Sequence, residues 1–223
     1  MSKKIILCTL VAVSAAAIAL PAAAIAAEED VPVHLVGVGL NQARLIDGVG
    51  NAELTGSFGT IKATSWAGSA SFESTTTGTL ELTLKGVTAG GTACTTEGQP
   101  SGTITTTELP FHLVTVEDSV THATGPGILI TPNPVTKVGA HFVCGFLKFT
   151  IEGSLIGTIT SPECGKSSSN VTLSLSSSST GVQTHKTVVG TTTEYSWTQG
   201  GSPVSLDAEG TITLGTEAKL ECT

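Results

Sequence analysis

The sequence predicts an all-β protein, an antiparallel β-sandwich or β-barrel that follows an N-terminal signal peptide. Three observations carry this. Thr, Ser and Gly dominate, and after the leader the helix formers never recur at three-to-four spacing over a useful length. Short segments alternate apolar and polar residues with period two. Turn-forming Gly and Pro clusters punctuate the chain at short intervals.

The leader comes first. Lys3-Lys4, an apolar run from Ile5 to Leu20, Pro21 and an alanine-rich stretch before Glu28-Glu29-Asp30 have the layout of a secretory signal. Ala24-Ile25-Ala26 is the best cleavage match, with Ala22-Ala23-Ala24 next, so residues 1–26 are read as signal peptide and 27–223 as one secreted all-β domain. Retention as an anchor is the competing reading, since Ile5 to Ala27 reaches the roughly 20 residues a bilayer needs. Pro21 and the weak hydrophobicity of alanine argue against it. Lipidation at Cys8 ranks lower, because that cysteine precedes most of the apolar run.

The first clear strand is Thr79–Lys85, where Leu80, Leu82 and Leu84 share a face. Turns are expected at Asp47-Gly48, Ala89-Gly90-Gly91, Gly98-Gln99-Pro100, Gly125-Pro126-Gly127, Thr131-Pro132-Asn133-Pro134, Ser161-Pro162 and Gly200-Gly201-Ser202-Pro203. His141 to Ile151 leaves neither face polar and reads as one central strand buried on both sides, with Gly145 as a bulge or a close approach. Val171, Leu173 and Leu175 alternate in the next strand, and Ala218, Leu220 and Cys222 share a face at the C-terminus. The pattern E-G-x-x-x-G-T-I-T occurs at Glu97–Thr105 and Glu152–Thr160, and Gly210-Thr211-Ile212-Thr213 repeats its end. Composition and duplication explain it equally well, and each copy reads as a Gly turn entering a strand. Threonine clusters at 75–77, 105–107 and 191–193 read as solvent-facing β-branched positions.

Charge narrows the partners. Removing Lys3 and Lys4 leaves 8 basic against 18 acidic residues, a net of −10. The basic residues Arg44, Lys62, Lys85, Lys137, Lys148, Lys166, Lys186 and Lys219 are scattered, so nucleic acid and anionic lipid heads are repelled by the surface as a whole. No stable membrane span is expected after signal cleavage.

With Cys8 in the leader, the domain retains Cys94, Cys144, Cys164 and Cys222, an even set in a compartment where disulfides persist. Three connectivities are open. Cys94–Cys144 with Cys164–Cys222 is preferred because each bridge closes a loop of about 50 to 60 residues, worth about 3 to 4 kcal/mol by chain entropy. Metal ligation is the lesser reading, since no C-x-x-C pair exists.

No nucleophile elbow, zinc-protease helix, phosphate loop or calcium loop is present, so no catalytic, cofactor or metal residue is assigned. Glu117, Asp118 and Glu152 lie near apolar strands and are the residual candidates for a glycosidase pair. His112 and His122 bracket Glu117-Asp118, and His141 precedes Cys144 by three, on the opposite strand face. Tyr195 and Trp197, two apart, form the best candidate ligand platform, but core filling is the favoured reading because the chain has so few large residues to pack. Asn170-Val171-Thr172 is a glycosylation sequon.

The order Cys94-x-x-x-Gly98-x-x-x-Gly102-Thr103-Ile104-Thr105, then Phe142-Val143-Cys144-Gly145, then a second Gly-Thr-Ile-Thr strand resembles secreted β-rich proteins of actinobacteria that have no established activity. The resemblance spans at most the C-terminal 130 or so residues and implies export, without any catalytic residue. The sequence thus leads to a secreted or cell-envelope protein that binds or associates structurally, with a cell-surface or glycan component as partner. A small-ligand carrier with a barrel cavity and a glycan-active enzyme are the alternatives.

Overall fold

A computed structural model describes residues 33–118, 120–176, 185–187 and 197–222, of which 185–187 are described by backbone alone. The leader, and with it the predicted cleavage site, lies outside the described residues, as do Tyr195 and threonines 191–193. The first third of the chain gives β1 (Val33–Val36), β2 (Ala43–Gly56), β3 (Gly59–Ala63), β4 (Ser65–Phe72) and β5 (Thr77–Lys85). The middle adds β6 (Thr88–Ala89), β7 (Thr92–Thr95), β8 (Thr103–Thr105), β9 (Leu109–Asp118), β10 (Thr124–Ile130) and β11 (Val138–Cys144). The last part holds β12 (Leu147–Gly153), β13 (Leu155–Ser161), β14 (Ser167–Leu175), β15 (His185–Thr187), β16 (Trp197–Gln199) and β17 (Ser202–Cys222).

All of these strands belong to one antiparallel sheet that closes on itself, so the all-β sandwich or barrel class holds. Two hydrogen-bonded circuits can be traced through it. The first runs β2–β4–β5–β9–β10–β13–β14–β17 and returns to β2. The second runs β2–β3–β6–β7–β11–β12–β16–β17 and also returns to β2. The long strands β2 and β17 belong to both. Register shifts in β17 near Asp207/Glu209 and in β14 near Ser168/Asn170 mark where the ladder bends. Closure of this kind removes exposed sheet edges, which are aggregation-prone.

Local sequence explains the turns. β6 and β7 join through Gly90-Gly91 at φ 55° and 83°, and β16 and β17 through Gly200-Gly201 at φ 57° and 79°. Two left-handed residues are what a type I′ hairpin requires, and glycine adopts them without strain. Two expected turns are strands instead. Asp47-Gly48 lies within β2 and Gly125-Pro126-Gly127 within β10.

Those strand glycines have a packing reason. Gly48 and Gly210 are register partners, and the indole of Trp66 lies over both. A Cβ at Gly48 would meet Trp66 Cδ2 at 2.5 Å, and one at Gly210 would meet Cζ2 at 2.7 Å. Gly210 therefore sits mid-strand, as does Gly157 against Leu175, so only the first copy of the G-T-I-T pattern has its second glycine, Gly102 at φ 77°, in a turn that enters a strand. In the same way Gly78 faces Phe111 across the β5–β9 ladder, and Phe111 meets Phe72 edge-on at 5.2 Å.

One apolar cluster runs through both circuits and takes in Leu80, Leu82, Val171, Leu173, Leu175, Ala218 and Leu220, the aliphatics that alternation placed inside. The stretch from His141 to Ile151 corrects its prediction. It is a hairpin, β11 and β12, with Cys144 paired to Leu147 and Gly145 at φ 62° as the first of two turn residues, the glycine-first pattern of type II′. Strands apolar on both faces are β9 and β13 instead: Leu109, Phe111 and Leu113 of β9 and Leu155 and Ile159 of β13 enter the main core, while Val114 and Val116 bury on the other face with Ile156. Thr106 also departs from the solvent-facing reading, being buried, with its Oγ1 accepting a hydrogen bond from Leu82 N at 3.0 Å.

Candidate functional site: a clamped hairpin end

At one end of the second circuit two hairpins lie side by side. β7 pairs with β11 through Thr95↔Val143 and Cys94↔Cys144, and the latter pair is bonded as a disulfide. The second disulfide, Cys164–Cys222, ties the β13–β14 loop to the end of β17. Both pairings are the ones that loop length favoured.

Beneath the hairpin end, Phe142 and Phe149 stack inward at 5.0 Å and Phe58 meets Phe149 edge-on at 5.0 Å. Above it Val143 points out beside Lys148, and Phe146 and Leu147 lie open at the turn: Phe146 is 93% exposed, Leu147 53% and Val143 39%. Exposed apolar residues this large, adjacent on one rigid turn, mark an interaction surface more than isolated ones do.

Beside this tip opens a groove of about 360 Å³, lined by Thr96, Glu97, His141, Val143, Lys148 and Thr150 among others. Its walls are held by hydrogen bonds. Thr96 Oγ1 donates to the His141 carbonyl at 3.0 Å and accepts from Thr105 N at 3.1 Å. His141 Nδ1 and Thr150 Oγ1 are 3.0 Å apart, and Thr150 N donates to Gln199 Oε1 at 2.7 Å.

The carboxylates singled out in the sequence fall elsewhere. Glu117 and Asp118 end β9 in the first circuit, whereas Glu152 stands on β12 in the second. Glu117 Oε1 meets His122 Nδ1 at 2.7 Å, and Asp118 Oδ1 accepts from Val120 N and Thr121 N at 2.9 and 2.7 Å, so both organise the β9–β10 turn. His112 is exposed on β9, opposite Leu129. Among the described residues no group of three or more His, Cys, Asp or Glu is placed to hold a metal.

Trp197 follows the favoured core-filling reading. It is buried, because its register opposite Gly153 and Val204 points the ring into the second circuit, where it lines an apolar cavity of about 30 Å³ with Leu54, Leu82, Phe142 and Ile151. Its expected partner Tyr195 lies outside the described residues. A cavity of that size holds about one water, whereas small-molecule pockets measure about 300–1,000 Å³.

Phe146 and Leu147 were hidden by reading residues 141–151 as one strand. The signal was present: the buried positions 142 and 144 are even and 149 and 151 are odd, so the face changes at Gly145-Phe146, as a two-residue turn demands. Comparison of the chain with family models, with curated proteins and with solved structures finds no match.

Proposed function

We propose that this chain is an exported, non-enzymatic binding domain that works outside the cell or in its envelope and binds through the clamped end of the second circuit. The observation that carries the reading is Phe146, an aromatic ring left almost wholly in solvent at the tip of a disulfide-tied hairpin. Solvating such a side chain forgoes about 1.5–3 kcal/mol of burial, which a partner recovers. Two disulfides are compatible with an oxidising extracellular location. Among the described residues, the separation of Glu117-Asp118 from Glu152 and the filled interior favour binding over glycan hydrolysis or ligand carriage.

The test is retention on cell-envelope preparations. Wild-type protein is expected to sediment with envelopes, and Phe146→Ser to remain in the supernatant with its melting curve unchanged. Equal retention of the two proteins, or hydrolysis of any member of a glycan panel, overturns the reading.

A further inference from the structure

We propose that the clamped hairpin end is a lipid-contact surface, in which Phe146 and Leu147 enter the interfacial layer of a bilayer while Lys148, opposite Val143, lies at headgroup level. This rests on the binding-domain reading above and names its partner.

The ladder sets the order. Phe146 and Leu147 stand at the turn, the next pair is Val143 opposite Lys148, and His141 opposite Thr150 lies two pairs further back. An apolar apex backed by a cation suits a planar water–lipid boundary, where aromatic rings bury and lysine reaches the headgroups. A partner peptide would lie in the groove beside the tip, which Phe142, Val143 and Phe149 help to line, whereas Phe146 and Leu147 project from the turn outside it.

Charge is distributed accordingly. Around the tip, residues 86–96 and 138–148 hold Lys148 and His141 but no carboxylate, and Glu97 and Glu152 follow only beyond them, in a chain with 18 Asp and Glu. The first carboxylate behind the tip is Glu97, in the wall of the groove. Lys148 forms no ion pair among the described residues. The Cys94–Cys144 bond and the stacked phenylalanines below hold the apex in place before contact, so little ordering remains to be done on binding.

The acidic remainder of the protein predicts an unusual salt response. Neutral phosphatidylcholine vesicles should bind it at any ionic strength. Anionic vesicles should bind it more as salt rises and screens the repulsion, opposite to a protein adsorbed by a basic patch.

Flotation of the oxidised full chain with vesicles of phosphatidylcholine, alone or mixed with phosphatidylglycerol, at low and high salt tests this. Wild type is expected to float with phosphatidylcholine, and Phe146→Ser with Leu147→Ser to lower the partition coefficient at least about tenfold, the factor that losing one such buried side chain exceeds. Val135→Ser, an equally exposed residue before the far end of β11, should leave it unchanged, with circular dichroism checking the fold of every variant. The inference is overturned if the double variant floats like wild type, if Val135→Ser loses as much, if wild type stays unbound at millimolar lipid, or if the tip instead drives Phe146-dependent self-association. Phe146-dependent retention on envelopes without flotation removes the lipid and leaves the binding domain, whereas failure of both removes both.

Discussion

The two circuits share β2 and β17 yet are built differently. The first is made of strands mostly seven to fourteen residues long, apart from the shared β17. Its ladders are long, with register shifts only where β14 meets β13 and β17 and where β17 meets β2, and large side chains such as Phe72, Phe111, Leu155 and Ile128 are fully buried in it. The second contains β6 with two residues, β16 with three and β7 with four. Strands so short supply few ladder bonds, and here Gly-Gly turns and a disulfide between directly opposed residues hold the arrangement. On the function proposed above, the first circuit is the anchor and the second carries the exposed working end. A tip that keeps Phe146 in water is tolerable because the rest of the sheet anchors it.

That contrast can be broken at its strongest point first. Phe111→Ala removes a ring packed on Phe72 and over Gly78, and should cost about 3–5 kcal/mol in urea unfolding. A loss below about 1 kcal/mol would show that the first circuit is not the anchor.

Converting Cys94 and Cys144 together to serine should cost about 4 kcal/mol for a sequence separation of 50. Hydrogen exchange should then rise in β6, β7, β11 and β12 ahead of β9 and β10. Uniform deprotection would erase the distinction between the circuits.

Gly210→Ala places a methyl against the Trp66 indole at the junction where both circuits share β17, with an expected loss of about 1–3 kcal/mol. Unchanged thermal stability would mean that the indole has room to move aside.

The smallest effect concerns the end of β17. The hydrogen bond and charge of Lys219 hold the Glu221 carboxyl below its ordinary value. A carboxyl depressed in the folded state adds stability above its unfolded pKa and loses it as pH falls through the folded one. Lys219→Ala should therefore flatten the acid limb of the melting-temperature profile slightly, the group being fully exposed. An identical profile would detach this pair from stability.

Much of the fold was legible residue by residue. Alternation at Leu80-Leu82, Val171-Leu173-Leu175 and Ala218-Leu220 reports one buried face, and that face is buried. Gly90-Gly91 and Gly200-Gly201 announce hairpins because few other residues accept two successive left-handed conformations. The candidate site was less legible. Gly48, Gly125 and Gly127 looked like turn residues, yet Gly48 serves an indole contributed by β4, and Gly127 lies against Val116 of β9. Trp197 was expected in the core, but the cavity it lines depends on Gly153 and Val204 lying opposite it.

The sequence by itself determined the β class, most of the hairpin turns and the aliphatic faces, because side-chain alternation and backbone conformation are local properties of a few consecutive residues. It also carried the even set of cysteines and the preferred pairing. Only the tertiary structure decided that two circuits close around shared strands, that β9 and β13 are buried on both faces, and that Phe146 emerges where a buried strand was expected. Those outcomes depend on which distant strand lies opposite, and a one-residue change of parity at Gly145 is enough to turn an apolar run from core into surface.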